Sequence, residues 1–425
     1  MNAARRRARG TGAVVDGYEA RFYEFTERPN ADSCWSLSTG PDGRIYAASC
    51  IEHLGGQSVS VVRYDEDADR LEYLFDVDEV TGDLRDSGRA TQCKIHYSFA
   101  PSPATGLLYC ATHLSGPPKG EKRYCAWGAW HDPKRAFRGA MLVAYDTKKN
   151  DVAWWELMIP KEGCRCLALD EERGKLYAVT YPRDHFVVFD LATRTLTDVG
   201  RIGSVNTQCI FLDAKKRAYL TDDAGRFVRY DPETRKLATL PHRFPHASYQ
   251  VGWHGVLYDA VADDERGCVY LVPWMPRPRL ARFWPDEGDD GRLEDLGELT
   301  QPIDLTLAVS MSLDHVGGLV FGIDGRLYYA ASRWPLGSER EIPSWRRLDT
   351  YGAVMRRDPD TGETEEVCRL DRGEGWSSHY VTRGARDAAG NLYFGHVGKF
   401  PVGLFRMTVP GANRTDAHLP LRMWG

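Results

Sequence analysis

Four residues in this sequence have side chains that could move protons and hold an anion. They are His96 in Gln92-Cys93-Lys94-Ile95-His96-Tyr97, His113 in Cys110-Ala111-Thr112-His113, Tyr181 in Val179-Thr180-Tyr181-Pro182, and Arg201 in Asp198-Val199-Gly200-Arg201. A neutral imidazole suits a base at neutral pH, its unperturbed pKa being about 6.5. A second imidazole or a phenol can protonate a leaving group. A guanidinium can hold a carboxylate and offset charge that builds in a transition state. Whether the four can act together depends on the elements that carry them.

Those elements come from an internal repeat. A turn ending in Gly or a charged residue, then one or two residues, an apolar residue and Tyr recurs at Tyr46, Tyr109, Tyr177, Tyr219, Tyr270, Tyr328 and Tyr393. Each copy follows a short apolar run such as Cys166-Leu167-Ala168-Leu169-Asp170. Most are followed by an alternating run ending in Tyr/Phe-Asp, as in Val61-Val62-Arg63-Tyr64-Asp65 or Val187-Val188-Phe189-Asp190. Four short strands per unit with Gly/Asp turns are the signature of a β-propeller blade, and seven units predict seven blades. The expected fold is therefore all-β: a seven-bladed propeller of four-stranded antiparallel blades. The last unit lacks an outer strand after Met407, and the alternating run from Ala20 to Thr26 is expected to supply it and close the ring. Residues 1–13 are read as a disordered tail and 14–425 as one propeller domain, with its largest insertion between His113 and Gly139.

Strand direction then gathers the four residues. Four positions after the repeated Tyr stand Cys50, His113, Tyr181, Asp223, Trp274, Ser332 and Val397. His113 and Tyr181 thus occupy equivalent strand ends on neighbouring blades, opening onto the loop-rich face. His96 lies at the start of an innermost strand on that face. Arg201 follows the outer strand of the third blade, where Arg183 or Arg194 could fill the same place. Tyr177 belongs to the repeat and is structural, whereas Tyr181 stands outside it.

Composition limits the possible partners. The chain has 425 residues, 55 basic against 60 acidic, and a net charge of −5, so no cationic excess exists for nucleic acid or an anionic membrane. No apolar run approaches the eighteen or so residues of a membrane span. The 41 Gly, 21 Tyr and 12 Trp fit many short strands and tight turns, with aromatic surface left over for binding. The basic start, Arg5-Arg6-Arg7-Ala8-Arg9, is followed by no apolar region, so no secretory signal is read and a cytoplasmic location is expected; a chain whose leader had been removed would read the same. The ten cysteines sit mostly in strand-like apolar runs, and Cys164-Arg165-Cys166 is a poor metal spacing. Buried reduced thiols are expected.

The segments Lys94-Ile95-His96, Leu108-Tyr109-Cys110-Ala111-Thr112-His113, Leu176-Tyr177-Ala178-Val179-Thr180-Tyr181-Pro182 and Asp198-Val199-Gly200-Arg201 resemble the seven-bladed propeller polysaccharide lyases that cleave ulvan, and related rhamnose–glucuronate lyases. The strong match spans about residues 90–202. The resemblance implies β-elimination from a uronic acid, with His96, His113 and Tyr181 as proton-transfer groups and Arg201 on the carboxylate. It implies no cofactor for the chemistry, an acidic polysaccharide or oligosaccharide as partner, and often a structural metal. His254, His315, His379 and His396 are possible contributors to that metal, but no ligand spacing supports a set and none is assigned. Lys94, His254, Trp274, Arg277, Arg333 and Trp334 are expected to bind sugar rings and anionic groups. Two rivals stand beside this reading. One is a glycoside hydrolase on the same scaffold, for which paired carboxylates are not evident at the aligned positions. The other is a non-catalytic glycan- or protein-binding propeller.

Overall fold

The repeated tyrosine and the turn before it explain each other. Tyr46, Tyr177, Tyr219, Tyr328 and Tyr393 are fully buried, and each hydroxyl donates to an aspartate of the preceding turn: Asp42, Asp170, Asp213, Asp324 and Asp387, at 2.8–3.1 Å. The ring fills the space between blades while its polar tip is satisfied, so a large aromatic can be buried without an orphaned hydroxyl. The turn requires a positive φ, which Gly43 supplies at 80°; Lys216 takes 61° at the equivalent place. The second recurring aspartate has a separate task. Asp65, Asp146, Asp190 and Asp231 each accept backbone N–H groups two and three residues on, capping the outer hairpins.

The structure, a computed structural model, describes residues 12–413 other than 14, 29, 53, 55–56, 84–86, 115, 122–128, 204–206, 246–254, 275–277, 301–314, 334–350, 374–375, 379 and 399. It is a seven-bladed β-propeller. The innermost strands, in blade order, are Leu37–Thr39, Phe99–Ser102, Gly163–Asp170, Phe211–Leu212, Val256–Asp263, Val316–Phe321 and Val381–Arg386. The last of these contacts the first, which closes the ring. Glu19–Glu24 pairs antiparallel with Gly403–Thr408, Ala20 opposite Met407 and Phe22 opposite Phe405, and so supplies the outer strand of the seventh blade.

One boundary differs from the sequence expectation. Gly12–Ala13, read as part of the tail, pair with Arg369 and Cys368 and add a fifth strand to the sixth blade. The outer strand there, Thr364–Arg369, presents an unpaired edge that this short segment satisfies. Among the described residues the one α-helix is Val77–Thr81, and none is long and apolar enough to cross a membrane. The nine described cysteines are free and buried, and burial pushes the Cys110 and Cys164 thiols up to about 12; Cys125 lies outside the described residues. A cavity of about 880 Å³ runs among the innermost strands and the turns that follow them, including Asp263–Arg266 and Gly322–Gly325. It lies toward the tails of those strands, and neither His96 nor His113 lines it.

Candidate active site

The heads of the innermost strands, at the other end, bring His96, His113 and Tyr181 together. His96 precedes the innermost strand of the second blade, and His113 follows that blade's second strand, Leu107–Ala111. The His113 N–H donates to the Lys94 carbonyl at 2.7 Å, tying the two segments. Thr112 is held by Gln92 and by the Met141 N–H, which fixes the backbone on which His113 sits. Tyr181 ends the second strand of the third blade, Lys175–Tyr181. Its neighbour Thr180 donates to Glu162, which also accepts from Arg183. The ring centroids of His96 and His113 are 5.3 Å apart, and those of His113 and Tyr181 are 4.7 Å apart.

Arg165 connects them. Its strand pairs Cys164 with Thr180 and Cys166 with Val179, so Arg165 is the extra residue of a β-bulge. Such an insertion re-aims one side chain, and here a guanidinium is buried, 8% exposed. Arg165 Nη1 donates to His113 Nε2 at 2.8 Å, while the Arg165 carbonyl accepts from His96 Nδ1 at 2.9 Å. A guanidinium can only donate and a carbonyl can only accept. His113 therefore carries its proton on Nδ1, and His96 keeps its lone pair on Nε2. Burial, and after it the positive charge of Arg165, holds both imidazoles well below their usual pKa, so both are neutral at pH 7. Arg165 forms no ion pair among the described residues, and its Nε has no partner. A buried cation in this state lacks the compensation that buried charges normally have. The side chain of Asp184, likewise buried, is pushed up to about 7 by burial, with Arg165 and then Arg201 pulling the other way.

Gly163 permits this approach of two blades. A Cβ there would stand 2.3 Å from the Leu114 nitrogen and 3.0 Å from the His113 Cα.

The structure does not bring Arg201 to the cluster. It ends the outer strand Thr195–Arg201, farthest from the axis, is exposed, and gives its Nε to the Gly203 carbonyl at 3.0 Å. The guanidinium beside the histidines belongs to Arg165. Lys94 is buried and committed: its Nζ pairs with Glu52 at 3.0 Å and lies 4.1 Å from the Trp35 ring centroid. Trp274 is part-exposed and meets Tyr258 and Tyr380 edge-on, at 5.4 and 6.5 Å. Arg333 pairs with Glu366 at 3.4 Å in the sixth blade. His254, Arg277 and Trp334 lie outside the described residues, as does His379. His315 donates to the Val381 carbonyl and His396 bonds Ser378, and the described residues hold no group of three or more metal-ligating side chains.

Three residues of the site escaped the sequence reading. Trp35 stacks on His96 with centroids 4.9 Å apart and planes at 26°, its Nε1 donating to Glu52. Tyr380 meets Trp35 edge-on at 5.9 Å. These two stand at heads of innermost strands, as His96 does, so alignment on that position rather than on the repeated Tyr exposes them. Arg165 had a local signal: a charge flanked by Gly163-Cys164 and Cys166-Leu167 inside an apolar run.

No protein-family model matches the sequence, and no curated protein matches it. Solved structures match its fold. A streptogramin B lyase structure superposes with a TM-score of 0.56 at 12% identity, covering 92% of this chain and 97% of that one. A catalytically inactive variant of virginiamycin B lyase from Staphylococcus aureus, with quinupristin, gives 0.53 at 8% identity, covering 92% and 99%. The extracellular domain of the hybrid two-component system protein BT4673 from B. thetaiotaomicron gives 0.56 at 14% identity; the match covers 92% of this chain and 39% of that one. At these identities the likenesses show a shared fold alone.

Proposed function

We propose that the protein is a lyase that cleaves uronate-containing glycans, of the ulvan or rhamnose–glucuronate kind, by β-elimination. Support comes from the sequence segments around His96, His113 and Tyr181. The observation that carries the reading is the buried guanidinium of Arg165, which bonds His113 and forms no ion pair among the described residues. A uronate carboxylate would pair with that cation. Its charge would then offset the enolate-like charge that develops when C5 loses its proton. In the reaction the C5–H proton passes to a base, the C4–O bond breaks, and its electron pair leaves with the departing sugar oxygen, which takes up a proton. A C4=C5 double bond conjugated to the carboxyl group remains.

His96 Nε2 is the basic position not already engaged by Arg165, and it takes the C5 proton. Tyr181, part-exposed beside His113, protonates the leaving oxygen. His113, held on Nε2 by Arg165, positions the guanidinium. Both histidines are 1% exposed, so substrate must part the rings over them, and the part-exposed Trp35 and Tyr181 are the side chains to displace. Incubation with ulvan, its oligosaccharides and rhamnose–glucuronate glycans tests the proposal. Ultraviolet absorbance from an unsaturated uronate is the expected result; sugar release without that chromophore would overturn elimination.

A further inference from the structure

The chain of rings that begins at Tyr181, His113, His96 and Trp35 ends at Tyr380, which no catalytic step uses. Tyr380 is braced from behind. His315 lies parallel to it, centroids 4.0 Å apart and planes at 11°. His315 is itself buried, gives its Nε2 proton to the Val381 carbonyl at 2.6 Å, and takes the edge of Tyr258 at 90° and 4.8 Å. Trp35 and Trp274 meet Tyr380 edge-on, and the residue remains part-exposed. A flat ring with one face backed by a fixed aromatic is preorganised to receive an apolar surface on the other.

The surroundings select what lands there. Among the described residues two cations of the neighbouring innermost segments are engaged: Arg383 pairs with Asp259, and Lys94 with Glu52. Arg165, by contrast, forms no ion pair among the described residues, and the chain of rings from His113, which it bonds, through His96 and Trp35 to Tyr380 lets one short oligosaccharide reach both. The geometry points to Tyr380 as a stacking platform for a neutral sugar ring, next to the uronate held by Arg165. This rests on the uronate-lyase reading and adds to it the residue that holds the sugar next to the uronate: that neutral sugar presents its C–H face to Tyr380.

Tyr380→Ala and Tyr380→Phe in the full chain test this with a rhamnose–glucuronate tetrasaccharide. The Ala variant should raise KM about tenfold with kcat within about twofold, and Phe should match the parent. An unchanged KM in Tyr380→Ala would overturn the platform. Calorimetric binding of the same tetrasaccharide separates this from the chemistry. If no chromophore forms but Tyr380→Ala binds about tenfold more weakly, the platform stands and the lyase reading falls. Equal binding to all three proteins, or binding to none, overturns the platform. An all-uronate tetrasaccharide that depended on Tyr380 as strongly would overturn the neutral-sugar assignment.

Discussion

Arg165 donates from its guanidinium to His113 Nε2 at 2.8 Å and accepts with its backbone carbonyl from His96 Nδ1 at 2.9 Å. One bulged residue thereby fixes the proton positions of both histidines and sets a positive charge against His113. The roles proposed for His96 and His113 follow from that arrangement, since each imidazole has one nitrogen committed.

The charge of Arg165 should matter far more for turnover than for folding. Replacing it with Met removes a buried cation that forms no ion pair among the described residues, which offsets the lost bond to His113; stability should change by less than about 2 kcal/mol. Elimination should fall at least about a hundredfold. Arg201→Met, at the exposed end of an outer strand, should leave turnover within about twofold, because it touches neither histidine. Steady-state rates and urea titrations of both variants check this.

The histidines make the fold acid-sensitive. Their pKa values in the folded protein lie well below the value of about 6.5 in an unfolded chain. Above pH 6.5 both states are neutral and the stabilising contribution is complete. Below it the unfolded chain binds protons that the folded one refuses, so stability falls as pH drops. His113→Asn should flatten the loss between pH 7 and pH 5, read as urea midpoints across that range.

Asp184 works in the opposite direction. Its carboxyl is pushed up to about 7 when folded, so between about pH 4 and pH 7 the unfolded chain releases a proton that the folded one keeps. Ionisation thus costs stability as pH rises. Asp184→Asn, tolerated at the local φ of 55°, should melt higher than the parent at pH 8, with the gain shrinking toward pH 4. Thermal melts at the two pH values give the comparison.

Gly163 should not accept a methyl group. A Cβ 2.3 Å from the Leu114 nitrogen forces blades two and three apart at His113. Gly163→Ala should lose about 1–3 kcal/mol in urea denaturation and lower turnover further, through displacement of His113. Retention of parental stability and rate would show that the blades can slide there.

Much of the fold was legible because the repeated Tyr and its turn Asp are local in sequence and bonded in space, as Tyr177 and Asp170 are. The closing strand was legible from the alternation in Glu19–Glu24 and the missing partner of Gly403–Thr408. His96, His113 and Tyr181 could be placed on one face because strand direction alone determines which end of a blade they occupy. Arg165 could not be placed that way. A bulge shifts the inward–outward alternation by one residue, and the sequence shows only a charge among apolar neighbours. Arg201 is in the right stretch of sequence, but it ends an outer strand, is exposed, and bonds the Gly203 carbonyl rather than a histidine. Trp35 and Tyr380 meet only across the closure between the first and last blades, a contact with no local signature.

The most direct test is the absorbance of an unsaturated uronate when the protein is mixed with ulvan and rhamnose–glucuronate glycans, measured for the parent, His96→Ala and Arg165→Met. A rising chromophore is expected with the parent, and loss of at least about a hundredfold in rate with each variant. No chromophore from the parent on any uronate glycan, or undiminished rates in both variants, would contradict the lyase reading.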